Sequence, residues 1–129
     1  MKRQCDFFVN EQYFKHEGKL TVDGNMYIKN NAYIEELTVQ GNCFIDGALT
    51  AKKMIVFGNL YANKLVVKDE LEVQGDAEIE FLSGGLLKFL HNLKVAKANV
   101  HHSVLIVGEG IKAHMIFGDL AELSIGKLT

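Results

Sequence analysis

The sequence predicts an all-β chain: a single-domain parallel β-helix (β-solenoid) of triangular section, with about 17 residues per coil and about 6–7 coils. Three observations carry that prediction. Gly24, Gly41, Gly58 and Gly75 stand 17 residues apart, and each is followed by an amide or an acid: Asn25, Asn42, Asn59 and Asp76. Apolar-x-apolar pairs recur every five or six residues, from Leu20/Val22, Met26/Ile28, Ala32/Ile34 and Leu37/Val39 to Leu71/Val73 and Ala77/Ile79. Alternation of period two marks a half-buried strand, whereas a helix would place apolar residues three and four apart. Two outward columns at the same interval alternate in sign, Lys19, Glu36, Lys53, Glu70 and Glu35, Lys52, Asp69. On stacked strands such opposite charges contribute about 0.2–1 kcal/mol per pair, where like charges would repel.

Residues 1–17 read as an irregular N-terminal coil or cap. Phe8 and Phe14 are six residues apart and Leu20 follows at six more, which continues the coil backward. Residues 18–80 hold the regular coils. Three short strands per coil, with a turn at each corner, would stack in parallel at about 4.8 Å, so seven coils make a rod roughly 35 Å long. Each corner glycine supplies either a positive φ or room for close approach. The Asn column that follows would stack, its amides hydrogen-bonded along the axis. Residues 81–129 read as less regular coils and a C-terminal end. Ser83-Gly84-Gly85 breaks the pattern, and Leu86–Leu90 fits a strand or a single helical turn. Pairs return at Leu93/Val95, Ala98/Val100, Leu105/Val107, Ile111/Ala113 and Leu123/Ile125, with His101-His102 as an inserted bulge or corner.

Composition narrows function by exclusion. A hydrophobic content of 48% with 23% charged residues excludes wholesale disorder. Net charge is −2, which offers no attraction to nucleic acid or to an anionic membrane. No apolar run approaches the roughly 20 residues of a membrane span. Phe7-Phe8-Val9, behind Lys2 and Arg3, is too short for a signal peptide and reads as an edge strand, with weak peripheral membrane contact as the alternative. A cytoplasmic location is the resulting expectation. Cys5 and Cys43 have no metal spacing, and Cys43 falls on an interior position as an inert thiol.

The string Leu37-Thr-Val-Gln-Gly-Asn-Cys-Phe-Ile-Asp-Gly-Ala-Leu-Thr-Ala51 resembles the repeat of the bactofilins, the polymer-forming cytoskeletal family. The resemblance covers residues 18–80. It implies a right-handed triangular β-helix, and subunits that join end to end into non-polar filaments without nucleotide. Bulky first members of the pairs (Leu20, Met26, Leu37, Met54, Leu71) suit that wide core. The left-handed hexapeptide helix of acyltransferases prefers a small residue there and a coil near eighteen. Two departures stand: the chain has no proline, so it lacks the family's Pro-rich tails, and only Gly47 matches at the second corner.

Candidate functional residues follow from the register. Tyr27, Phe44 and Tyr61 share an outward column, and Ile55 and Phe57 add outward apolar surface. This is either a stabilising ladder, at about 0.5–1.5 kcal/mol per aromatic pair, or a face that binds protein. Both ends of a solenoid expose strand edges that must be capped or used. Phe7, Phe8 and Phe14 mark one end and Leu123 and Ile125 the other, where Leu120–Thr129 has no evident polar cap. Nothing points to an enzyme, a cofactor or a metal. Of five histidines only His101 and His102 are adjacent, and adjacent strand residues point to opposite faces. No His accompanies a Ser or Cys nucleophile, and Gly108-Glu109-Gly110 lacks the ending and the helix of a phosphate loop. The expectation is a non-catalytic scaffold that self-associates through its ends or its aromatic face. The alternative is a module that binds one other protein, such as an inhibitor or immunity-type protein.

Overall fold

A computed structural model describes residues 2–3 and 5–126. Met1, Gln4 and residues 127–129, which belong to the two end segments, lie outside the described residues. The strands are β1 (Lys2–Arg3), β2 (Phe7–Val9), β3 (Tyr13–Val22), β4 (Met26–Ile28), β5 (Asn31–Val39), β6 (Cys43–Val56), β7 (Leu60–Val73), β8 (Ala77–Phe89), β9 (Leu93–Val107) and β10 (Ile111–Ile125). Every pairing is parallel, and each long strand bends through the corners of its coil while pairing with the strands of the coils before and after it. The result is a β-solenoid of about seven coils with roughly 17 residues in each.

Each coil has three faces. Phe7, Met26, Cys43, Leu60, Ala77, Leu93 and Ile111 stand in register on the first. Phe14, Ala32, Leu49, Leu65, Leu82, Ala98 and Ile116 do so on the second. Leu20, Leu37, Met54, Leu71, Leu87, Leu105 and Leu123 do so on the third. Both members of every apolar pair from Leu20/Val22 to Ala77/Ile79 are buried, and burial continues along the axis to Val107. Residues 86–89 settle as strand, with Leu90 at the bend beyond, because β8 keeps Leu87 over Leu71 and Phe89 over Val73. The salt column is in register, Lys19 opposite Glu36, Glu36 opposite Lys53 and Lys53 opposite Glu70.

Two sequence expectations need correction. Phe7 and Val9, not Phe8, face inward in the first coil, since Phe7 pairs with Met26 and Val9 with Ile28. Three consecutive apolar residues carry no alternation, so the phase there was open to a one-residue slip. The Asn column is not an amide-to-amide stack. The side-chain oxygen of Asn25 accepts from the backbone N–H of Asn42, that of Asn42 from Asn59, and that of Asn59 from Asp76, each at 2.8 Å. Only an acceptor oxygen is required, which explains why Asp6 and Asp76 occupy the same column.

The corner glycines work by close approach rather than by positive φ. A Cβ on Gly58 would come within 2.6 Å of the Gly41 carbonyl oxygen, and one on Gly75 within 2.5 Å of that of Gly58. Where His91 takes the glycine position, the corresponding bond from Asn92 N–H to the Asp76 carboxylate lengthens to 3.2 Å.

Candidate functional site

The aromatic column is a continuous stack of four rings. Phe8, which the sequence assigned to the N-terminal end, turns outward and joins it. Centroid separations are 4.6 Å for Phe8–Tyr27, 4.9 Å for Tyr27–Phe44 and 5.3 Å for Phe44–Tyr61, with interplanar angles of 4°, 9° and 7°. Parallel in-register strands impose this, because one outward side chain sits a strand spacing above the last. The inner rings Tyr27 and Phe44 are half-buried between neighbours, while Phe8 (59% exposed) and Tyr61 (40%) close the ladder. Beyond Tyr61 the column turns charged, and Glu78 pairs with Lys94 at 3.7 Å. Ile55 and Phe57 are exposed as expected, but they belong to the third face and its corner, before Gly58-Asn59, and do not extend the stack.

The two ends differ. At the N-terminal end Phe7 and Phe14 are half-buried and meet edge to face, at 5.8 Å and 79°, against the interior. They pack against the core, in which Val9 of the same coil is 1% exposed. At the C-terminal end β10 pairs with β9 and with no other described strand. Ile116 and Leu123 occupy inward columns yet are 37% and 51% exposed, above Ala98 and Leu105 at 2% and 1%. Ile125 is half-buried over Val107. Outward positions of the last coil turn apolar as well, with Met115 above Lys97 and Phe117 above Asn99. The unbroken run Met115-Ile116-Phe117 is the sequence signal for this, hidden from a search for alternating pairs because it has no polar residue between its members.

The corner between the second and third faces changes length from coil to coil. Glu35 and Lys52 are single residues there, and their side chains pair at 3.4 Å. The Gly18 N–H donates to the Glu35 carboxylate at 2.7 Å, and that bond, with Lys52 behind it, holds the carboxyl below its ordinary value. Gly85 lies opposite three residues, His101, His102 and Ser103, between Gly84–Val100 and Leu86–Val104. Ser103 is fully buried; its hydroxyl donates to the Gly84 carbonyl and accepts from the His101 N–H at 3.1 Å. His102 has φ of +49°, in the left-handed region.

That twist overturns the expectation that the adjacent histidines face opposite ways, which holds only for extended strand. Their rings lie 4.7 Å apart, centroid to centroid. Asp119 of the next coil sits over them in register with His101. His101 Nδ1 is 3.3 Å from Asp119 Oδ1, and His102 Nδ1 is 3.2 Å from Asp119 Oδ2. Desolvation pushes the Asp119 carboxyl up, but the His102 backbone N–H and the two neighbouring imidazoles outweigh it and leave it lowered. Asp119 was missed although it stands 17 residues after His102, one coil on, because the two histidines were expected on opposite faces.

Cys43 is fully buried, which pushes its thiol up to about 12, while Cys5 is exposed. No helix among the described residues is long and apolar enough to cross a membrane. No known protein family, curated protein or solved structure matches the chain.

Proposed function

We propose that the protein is a non-catalytic structural subunit that associates with further copies of itself through its C-terminal coil. The observation that carries this reading is the exposure of Ile116 and Leu123, whose columns are buried in the coil beneath. An uncovered parallel edge with apolar residues in core register is a template for another strand layer. At the N-terminal end β2 likewise pairs with only one described strand, β4, but the inward-column residues Phe7 and Phe14 are packed against the core there, so that end offers less. Pairing of two C-terminal ends is therefore the first step, and such a two-fold contact closes on itself. Filaments of the bactofilin kind need the N-terminal ends to join as well. The repeat and the solenoid shape are compatible with that family without singling it out.

Light scattering and electron microscopy of the purified chain test the proposal. The expected result is a concentration-dependent dimer, or longer rods, reduced to monomer by Ile116→Lys with Leu123→Lys while the β-sheet circular dichroism is kept. A monomer at high concentration in the unaltered chain would refute it. The second reading, a module that grips another protein, draws support from the exposed terminal rings Phe8 and Tyr61. Tyr27→Ser with Tyr61→Ser separates the two, because self-association through the end survives that pair of substitutions.

A further inference from the structure

We propose that His101, His102 and Asp119 form a binding site for a borderline transition-metal ion of the zinc type, spanning the last two coils. Each residue offers one ligand atom, and the three atoms lie within 4.8 Å of one another. Two imidazole nitrogens and one carboxylate oxygen are the donor set that suits zinc, cobalt or nickel, while magnesium and calcium prefer oxygen throughout. Zinc bound at about 2.0–2.2 Å in a tetrahedron puts its ligands roughly 3.3 Å apart. The His101–Asp119 and His102–Asp119 separations of 3.3 and 3.2 Å already match that edge. Rotation of the Asp119 side chain then brings one oxygen to face both rings. The side chains are 85%, 74% and 53% exposed, so an ion has free access and water fills the remaining position.

The backbone beneath the histidines is fixed rather than loose. Ser103 ties the bulge to the Gly84 carbonyl of the coil below and to the His101 N–H. The His102 N–H in turn donates to Asp119 Oδ1 at 3.4 Å. Ligands held by such secondary contacts need little reordering when the metal arrives. Because Asp119 belongs to β10 and the histidines to β9, the ion would pin the terminal coil to its neighbour. The site lies at the corner of β10 between Ile116 and Leu123, but the proposal does not rest on the proposed self-association.

Zinc chloride titrated calorimetrically into the full chain at pH 7.5 is the test, with magnesium chloride as a control and cobalt chloride as a spectroscopic reporter. One zinc per chain is expected, together with slower amide exchange along β10. His102→Ala and Asp119→Asn should each weaken zinc binding at least tenfold, while His16→Ala and His114→Ala leave it unchanged. Circular dichroism confirms that each variant keeps its β-sheet. The proposal fails if the unaltered chain takes up no zinc, or if folded His102→Ala and Asp119→Asn bind zinc as well as it does.

Discussion

At the Gly-Asn corner, every coil from Gly24 to Gly75 makes the same turn, a glycine followed by an amide or acid, and each turn is bonded to the next through a side-chain oxygen. At the corner between the second and third faces, one coil uses a single residue such as Glu35, another uses Lys68 and Asp69, and the sixth uses His101, His102 and Ser103. The difference is one of space. At the first corner, from Gly24 to Gly75, the chain of one coil lies against backbone and an Asn or Asp side chain of the coil before, so a Cβ would clash, and where His91 takes the position the bond to Asp76 lengthens. At the second, the turn bulges toward solvent, and an insertion costs little beyond loop entropy. A solenoid keeps its rise at the tight corner and acquires its individual chemistry at the loose one.

The largest effect expected from this contrast is at the glycines. Gly58→Ala drives a Cβ into the Gly41 backbone and the Asn42 side chain, and backbone cannot move aside without disturbing the stack. A loss of about 3 kcal/mol is expected, near the top of the usual range for single substitutions. Gly18→Ala, at the loose corner, meets nothing within 4 Å and suffers only from its φ of +82°. That strain costs about 1–2 kcal/mol. Urea denaturation of both variants measures the difference, and equal losses would break the contrast between the corners.

Asn42 gives a finer test. Its side-chain oxygen accepts from the Asn59 N–H, so Asn42→Leu leaves a part-buried donor unpaired at a cost of about 1–3 kcal/mol. Asn42→Asp keeps the acceptor and should cost under about 0.5 kcal/mol, the usual range for a tolerated surface change. If the two variants denature alike, the column depends on the amide itself and the acceptor account is wrong.

How much of this was legible depends on which corner a residue occupies. Gly24 to Gly75 and Leu20 to Ile79 were readable because tight packing forces a constant interval, and a constant interval survives in one sequence. The alternation that put Tyr27, Phe44 and Tyr61 outward came from the same source, and the stack of rings agrees with it. Phe8 was lost where Phe7-Phe8-Val9 gave no alternation to fix the phase. His102 and Asp119 stand at the repeat interval of 17 residues, but they were lost as a pair because a left-handed residue reverses the expected side-chain direction. The open C-terminal coil was half legible: Leu123 and Ile125 stood in sequence, but exposure of Ile116 follows only from knowing that no described strand pairs beyond β10.

The smallest expected effect concerns charge at the loose corner, and its sign is fixed. Glu35 is held below its ordinary value of 4.5, first by the Gly18 N–H and then by Lys52, so the folded chain favours the carboxylate. A depressed folded pKa contributes stability that is fully present above about 4.5 and is lost as pH falls through the lower folded value. Glu35→Gln retains a neutral acceptor for Gly18 but abolishes the charge. Its thermal midpoint should therefore lie slightly below that of the unaltered chain at pH 7 and converge with it in acid. Added salt should remove the Lys52 share, because that pair is largely solvent-exposed, and spare the bond from the backbone. A gap that stayed constant from pH 7 to pH 3 would mean that Glu35 acts through shape alone, and that even the loose corner tolerates charge without using it.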